Sequence, residues 1–307
     1  MAVYDCCIIN DEIDLLKIRM ELLNPYVDFF VVSEINRTFR GKEKEYKFQK
    51  RSKEFEKYKE KIIYVNSDNI PEWKGVGDWS IEGHQRNCIA KALINCNMDD
   101  VILLSDVDEI PYPNILSNMD SYSVYSKWGR NYRMNKRCIL RTASVLNRKE
   151  LMTFLKGRMN LKSALDKTPV LLRMRNHYYY MNCRSNGYIA GTVICKYSNL
   201  LFPQTLRVAR YNFPCIQDGG WHFSYLGGVE NVKKKLNTIL DDRPEIVKKM
   251  ELYSSQDEYI ESCLKNGEDL FGRDDITNTF RFIEATEIGI DNIKRYIDLY
   301  PEFFHIS

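Results

Sequence analysis

Three acidic residues follow directly after a strongly apolar segment in the first third of the chain. Residues 101–104 are aliphatic, and Asp106, Asp108 and Glu109 come next, before Pro111. A short run of branched apolar residues is typical of a buried strand in a parallel sheet, and such sheets bind ligands at their carboxyl edge. In an extended segment, Asp106 and Asp108 project to the same side. We therefore predict that they hold Mg²⁺ or Mn²⁺, which in turn binds a diphosphate.

A second candidate segment lies at residues 217–228, where two glycine pairs flank an aromatic cluster that contains His222. Glycine permits close backbone approach to a ligand. A nitrogen of His222 could complete the ligand shell of a Mn²⁺ ion. Each candidate also has a structural interpretation: Asp106 could cap the segment that follows it, and His222 could be a packed core residue.

Basic residues that could bind a diphosphate occur near the starts of two predicted helices. Arg86 could reach a phosphate, because helix N-termini and guanidinium groups both favour anions, or it could pair with Glu82 one turn earlier. One of the three lysines at 233–235 could face the diphosphate, and Lys235 is the candidate chosen from them. Three carboxylates at the ends of the first two strands are predicted to bind the nucleotide: Asp11, Glu12 and Glu34. Asp11 could instead cap a helix.

The elements that position these residues alternate between strands and helices up to Pro113. Apolar periodicity predicts a helix at 13–23, capped by Asn10 or Asp11, and a second helix at 81–94. Strands are predicted at 3–9, 29–33, 61–65 and 101–104. This order is typical of a parallel α/β sheet with right-handed crossovers.

The second half of the chain is less regular and is predicted to extend the sheet, before a helical C-terminal region. Strands are predicted at 121–127, 137–146, 170–174, 178–183, 191–197 and 206–209. Helices are predicted at 229–240, 244–252, 256–264 and 291–299. The fold class is therefore α/β, with a mixed Rossmann-type sheet flanked by helices.

The composition is that of a globular protein without a nucleic-acid signature. Basic and acidic residues nearly balance at 45 and 42, and apolar residues make up 44% of the chain. The nine cysteines show no C-x-x-C pair and no zinc-ligand spacing, so we predict reduced thiols. No signal-peptide pattern and no apolar run long enough for a membrane span is present, which predicts a cytoplasmic protein.

Three blocks of sequence, taken together and in order, resemble glycosyltransferase family 17. The blocks are residues 4–19 with 32–34 and 38–39, then 85–87 with 99–100 and 105–111, and finally 218–224. The animal members carry an N-terminal membrane anchor that has no counterpart here. This difference favours a microbial or viral glycan made in the cytosol over a Golgi acceptor.

The resemblance implies one GT-A-like domain over 1–307, with a nucleotide-sugar-binding half at 1–113, an acceptor-side half at 114–228 and a helical region at 229–307. It implies a UDP-sugar donor, UDP-GlcNAc above all, a glycan acceptor, and inversion at the anomeric carbon. Inverting transfer needs a carboxylate base on the face opposite the leaving group. Asp218 is the first candidate for this base and Glu109 the second.

Two other functions are compatible with the same residues. Phosphatases of the haloacid-dehalogenase type also place a D-x-D sequence after an apolar strand and use Mg²⁺. A non-catalytic glycan-binding module with the same fold is the other alternative. The sequence does not indicate the acceptor or the oligomeric state.

Overall fold

The computed structural model describes residues 1–124, 147–155, 159–238 and 252–306. These residues form two compact units. The first unit comprises Met1–Trp73, Trp79–Met174 and Ala190–Gly220, and the second comprises Lys74–Asp78, Arg175–Ile189 and Trp221–Ser307. The predicted functional boundaries at 113 and 228 stay a prediction.

The first unit is built on four parallel strands in the order β3-β2-β1-β4. Their bounds are β1 Val3–Ile8, β2 Phe29–Ser33, β3 Ile62–Val65 and β4 Val101–Asp106. All four were predicted to within two residues at each end. Strand β9 (Cys183–Lys196) lies antiparallel beside β4, with Val101 opposite Lys196. The sheet is therefore mixed and mostly parallel, as predicted.

Short strands complete the sheet structure of the first unit. Strand β5 (Glu109–Pro111) follows β4 after a turn, and β6 (Ser123–Val124) pairs with β7 (Met159–Asn160). The first residues of β8 (Val170–Tyr178) pair with β10 (Cys215–Ile216).

Helices of the first unit surround this sheet. They are α1 Ile13–Leu23, α2 Lys47–Lys50, α3 Ser80–Cys88, α4 Pro113–Ser117, α5 Arg148–Leu155, α6 Leu161–Leu165 and α7 Pro203–Ala209. Short 3₁₀ segments lie at Ser52–Tyr58, Ile89–Leu93, Tyr197–Asn199 and Arg210–Asn212. One core cluster joins the central strands to the helices through fully buried residues such as Ile89, Leu104 and Leu206. Burial of such aliphatic side chains stabilises the unit by about 1.5–3 kcal/mol each.

The second unit combines ends of the long strands with the C-terminal helices. The last residues of β8 pair with β11 (Gly220–Ser224), and the first residues of β9 pair with β12 (Phe280–Phe282). Its helices are α8 Gly228–Thr238, α9 Gln256–Asn266 and α10 Ile293–Leu299, with 3₁₀ segments at Ala285–Ile288 and Pro301–Phe303. Tyr179, Val232 and Ile260 lie in its fully buried core.

Three sequence predictions were wrong in detail. Residues 206–209 belong to helix α7, because Pro203 at its first turn starts a helix that the branched residues alone do not indicate. Residues 179–182 form a turn between β8 and β9 rather than a strand, and Tyr179 has a φ of 65°. The N-cap of α1 is Glu12, not Asn10 or Asp11.

The fold class is confirmed as α/β with a mixed, mostly parallel sheet flanked by helices, consistent with a GT-A-like fold. The predicted strand at 137–146 and nearly all of the predicted helix at 244–252 lie outside the described residues. Within the described part of the chain, no helix is long and apolar enough to cross a lipid bilayer. The eight cysteines in that part are free thiols, as predicted for them.

Candidate functional site

The acidic segment lies at the carboxyl end of strand β4. Strand β4 ends at Asp106, residues Val107 and Asp108 form a turn, and β5 starts at Glu109. The segment is therefore not extended, and the alternation argument for Asp106 and Asp108 does not hold. The Asp106 side chain is 32% exposed, whereas Asp108 and Glu109 are buried.

Two arginines bind the carboxylate of Asp106. Arg86 Nη2 donates to Oδ1 at 2.6 Å, and Arg207 Nη2 donates to Oδ2 at 2.8 Å. Burial by itself would raise the pKa of Asp106, but the Arg207 and Arg86 guanidiniums outweigh burial and hold this pKa well below its usual range. Asp106 is therefore an ionised and oriented carboxylate at neutral pH.

Arg207 was not found from the sequence, because residues 206–209 were predicted as a strand. On α7, its guanidinium also binds both oxygens of Glu109, with Nη1 at 2.7 Å from Oε2, and donates to the Gly191 carbonyl at 2.8 Å. Glu109 in turn accepts from the Asp106 backbone N–H at 3.2 Å. This buried, bidentate pairing favours a structural role for Glu109 over its predicted role as second-choice base.

Arg19 and Asp5 form a fully buried ion pair beneath the acidic turn. Arg19 Nε and Nη2 bind the two oxygens of Asp5 at 2.8 and 2.6 Å. Arg19 Nη1 lies within hydrogen-bonding distance of the backbone carbonyls of Asp106, Val107 and Glu109, at 3.2, 3.3 and 2.6 Å. A single guanidinium therefore fixes the path of the turn that carries the acidic residues.

Three consecutive residues of α3 connect the strand ends to α7. Gln85 Nε2 donates to the carbonyls of Ile9 and Ser33, at the ends of β1 and β2, at 2.7 and 2.8 Å. Arg86 binds Glu82 at 2.8 Å in addition to Asp106, so the structural alternative for this residue holds together with a position in the site. Asn87 Oδ1 accepts from Gln204 N at 2.9 Å, in the first turn of the helix that carries Arg207.

The carboxylates predicted to bind the nucleotide serve mainly as backbone acceptors. Glu34 is fully buried and accepts from the backbone N–H groups of Lys47 and Phe48 at 2.6 and 3.1 Å. Lys44 Nζ and the Tyr64 hydroxyl also donate to Glu34, at 3.3 and 3.1 Å. These contacts favour a structural role for Glu34.

Glu12 and Asp11 lie in the loop between β1 and α1. Glu12 Oε2 accepts from the backbone N–H groups of Asn10 and Asp11 at 3.1 and 3.0 Å, which stabilises this loop. Asp11 is partly buried, at the same carboxyl edge as Asp106. Nucleotide binding by this loop stays a prediction.

Asp218 lies in a tight turn before β11. Its φ is 57°, and the Tyr112 hydroxyl donates to Asp218 Oδ1 at 3.1 Å. The adjacent Gly219 and Gly220 pack against the protein itself, since a Cβ on Gly220 would lie 2.3 Å from the Ile110 carbonyl oxygen. Close packing within the protein therefore accounts for the glycine pair, and the predicted approach of a ligand stays a prediction.

His222 and Lys235 belong to the second unit. The Asn176 amide is oriented by its Nδ2, which donates to the Thr277 carbonyl at 2.9 Å, so Asn176 Oδ1 accepts from His222 Nδ1 at 2.8 Å. This tautomer leaves the lone pair on Nε2, the atom that could bind a metal. Lys235 Nζ lies 5.2 Å from the centre of the Tyr225 ring. Neither predicted ligand role is tested by these contacts.

A metal site built from several protein ligands requires a particular arrangement of their side chains. No group of three or more His, Cys, Asp or Glu side chains among the described residues is arranged to hold a metal ion. Asp106 is a partly exposed oxygen donor, and Asp108 is buried in the turn that follows it. Magnesium commonly binds one or two carboxylates and completes its shell with water and substrate phosphates, so a cation held by Asp106 and Asp108 stays a prediction.

Comparison with known proteins identifies the part of the chain that holds most of this site. Residues 1–125 match the model of glycosyltransferase family 17. The predicted resemblance is thereby confirmed for the segment that contains Arg19, Arg86 and Asp106. Arg207 and Asp218 lie outside the matched residues, and the predicted resemblance at 218–224 stays a prediction.

Individual relatives agree with the family match. The enzymes named beta-1,4-mannosyl-glycoprotein 4-beta-N-acetylglucosaminyltransferase of Rattus norvegicus and Homo sapiens are 35% and 34% identical to the chain over 109 residues. Those residues make up 34% of this chain and 20% of each relative, so the chain spans about a fifth of the length of the curated relatives it matches. No solved structure matches the chain.

Proposed function

We propose that the protein is a glycosyltransferase that moves a sugar from a nucleotide-sugar donor to a hydroxyl group of a glycan. The observation that carries this proposal is Asp106, an oriented and partly exposed carboxylate at the carboxyl end of a central strand, within the segment that matches family 17. Open α/β sheets bind ligands at this edge. The names of the relatives support N-acetylglucosamine as the sugar, and we propose UDP-GlcNAc as the donor and inversion as the outcome.

We further propose that Asp106 and Asp108 hold Mg²⁺ or Mn²⁺ together with the donor. A bound cation would offset the negative charge that develops on the departing diphosphate. Each carboxylate oxygen of Asp106 already accepts one guanidinium hydrogen bond but has a second lone pair.

The arginines around Asp106 prepare this carboxylate for binding. Arg86 and Arg207 keep it ionised and fix its orientation. Arg19 holds the backbone of the following turn through its carbonyl groups. Pre-oriented groups of this kind reduce the cost of ordering a site when a ligand binds.

Asp218 is our proposed general base. The hydroxyl group of Tyr112, the residue directly after β5, orients the carboxylate of Asp218. A non-glycine residue with positive φ is also uncommon, and such residues often occur at functional sites.

Release of UDP from UDP-GlcNAc tests the proposal without knowledge of the acceptor. We expect slow, Mn²⁺-stimulated hydrolysis of the donor by the wild-type protein. Asp106→Asn should reduce this rate by more than about tenfold, since an amide is a weaker metal ligand and pairs less well with two guanidiniums. Asp120→Asn, at a position 67% exposed in the same unit, is the matched control.

Two results would contradict the proposal. One is an Asp106→Asn variant with the rate of the wild type, and the other is a wild-type protein that consumes no nucleotide sugar, with glycan acceptors present or absent. Hydrolysis of a simple phosphate ester in place of the sugar nucleotide would favour the phosphatase alternative. Binding of glycans without any turnover would favour the glycan-binding alternative.

A further inference from the structure

Arg210 is a partly buried cation that has no carboxylate partner among the described residues. It lies in the 3₁₀ segment that follows α7. Its Nη1 donates to the Arg207 carbonyl at 2.8 Å, and its Nη2 donates to the Tyr211 hydroxyl at 3.2 Å. Its Nε is buried and has no hydrogen-bond acceptor among the described residues. A buried charge without a nearby anion is energetically unfavourable, so the burial of Arg210 requires a physical explanation.

The surroundings of Arg210 connect it to the candidate site. It binds the backbone of Arg207, whose side chain binds both Asp106 and Glu109. Arg210 also interacts electrostatically with these two carboxylates. It therefore belongs to the same charge cluster as Asp106, whose side chain is partly exposed at the carboxyl edge of the sheet.

The other arginines of this cluster are already engaged. The side chains of Arg86 and Arg207 are 1% and 7% exposed, and both bind carboxylates. Arg19 is fully buried against Asp5. These contacts make Arg86, the arginine predicted to bind phosphate, a poor candidate for a ligand contact. Arg210 differs because its charge is not offset by an ion pair in the described structure.

We propose that Arg210 contacts the diphosphate of the donor, and this inference rests on the proposed function. A guanidinium group matches the geometry of phosphate oxygens and can donate two hydrogen bonds at once. A ligand anion would supply the direct ion pair that Arg210 lacks among the described residues. The cation proposed at Asp106 would lie on the same diphosphate, which prevents repulsion between that carboxylate and the ligand.

A purely structural role for Arg210 leads to a different expectation. Cations near a helix C-terminus stabilise the helix by binding its last carbonyl groups, as Arg210 does with the Arg207 carbonyl. Under that interpretation, loss of the guanidinium lowers the midpoint of thermal unfolding and leaves ligand affinity unchanged. Under our proposal, the ligand-free midpoint stays the same or rises, because an unpaired buried charge is removed, and ligand affinity falls.

The experiment measures binding of UDP, uridine and inorganic diphosphate, each with Mg²⁺, to the wild type and to Arg210→Gln by calorimetry. We expect UDP and diphosphate to bind at least about tenfold more weakly to the variant, as for the loss of one charge-assisted hydrogen bond. Uridine should bind equally to both proteins. Arg210→Lys, which keeps the charge without the planar group, should be intermediate. Arg37→Gln, at an exposed arginine that pairs with Glu43, is the matched control.

The outcomes separate this inference from the proposed function. Equal UDP affinity of wild type and Arg210→Gln would overturn the role of Arg210 and leave the transferase intact. If the wild type bound inorganic diphosphate but no UDP, and the variant lost that binding, the anion site would stand and the UDP donor would fail. A wild type that bound neither UDP nor diphosphate would overturn both.

Discussion

The ion pair of Arg19 and Asp5 gives the most stringent test of how the acidic turn is held. Both side chains are buried, with exposures of 0% and 1%. Removal of one partner from a buried pair costs about 3–5 kcal/mol, because the other charge is left without compensation. We therefore expect Arg19→Met to lower the free energy of unfolding of the first unit by about this amount.

Part of this cost should be recovered when the stranded carboxylate is also removed. The double variant Asp5→Leu/Arg19→Met has no unpaired buried charge, but the turn carbonyls still lack their donor. Each such unsatisfied group costs about 1–3 kcal/mol. We expect the double variant to lie between Arg19→Met and the wild type in stability, and to bind UDP with Mg²⁺ more weakly than the wild type.

Urea denaturation, followed by circular dichroism and tryptophan fluorescence, measures these differences. Separate transitions are fitted if the two units unfold independently. Arg51→Met is the control, because Arg51 also binds two carboxylates, Asp14 and Glu54, but its side chain is 37% exposed. Exposed pairs contribute about 0–1 kcal/mol. The reasoning is refuted if Arg19→Met costs no more than Arg51→Met, or if the double variant is less stable than Arg19→Met.

Three further predictions concern other contacts. Gly220→Ala should destabilise the first unit by about 1–3 kcal/mol, seen as a lower thermal midpoint, because the new Cβ meets the Ile110 carbonyl; an unchanged midpoint would contradict the packing role. Burial lowers the pKa of His177 to about 3. Below pH 6.5 the unfolded chain therefore takes up a proton that the folded protein excludes. The free energy of unfolding should fall by about 2 kcal/mol at pH 5 for this reason. In His177→Asn, which keeps a donor for the Met181 carbonyl, this loss on acidification should be smaller, and an identical pH profile of the midpoint would exclude the assignment. Asp218→Gly should abolish transfer or donor hydrolysis without loss of stability, since glycine adopts positive φ readily; retained turnover would exclude Asp218 as the base.

Weak metal binding in the absence of donor also follows from the proposed site. Arg86 and Arg207 offset the charge of Asp106, so a cation gains little from this carboxylate alone. We expect Mn²⁺ and UDP together to raise the thermal midpoint by more than the sum of their separate effects, as linked binding requires. Additive shifts would contradict a shared site for the cation and the diphosphate.

The sequence by itself determined the central strands and the acidic turn. Residues 101–104 form a continuous apolar segment, and a segment of this kind is stable only when both faces of the sheet are covered, which places Asp106 at the edge. The same reasoning located β1, β2 and β3, and the resemblance of the sequence blocks to family 17 agrees with the match of residues 1–125 to the model of that family. These features depend on local patterns that a linear sequence contains.

Only the tertiary structure decided which side chains surround Asp106. Arg207 lies 101 residues further along the chain, and Arg19 lies 87 residues earlier. An arginine in a helix has the same local pattern whether it faces water or a buried carboxylate, because its pairing depends on contacts across the fold. The sequence also misassigned 206–209, since branched residues favour strands unless a proline and a packing partner start a helix. The acidic motif was therefore predictable from its own residues, whereas the arginines that orient it became visible only once the chain was folded.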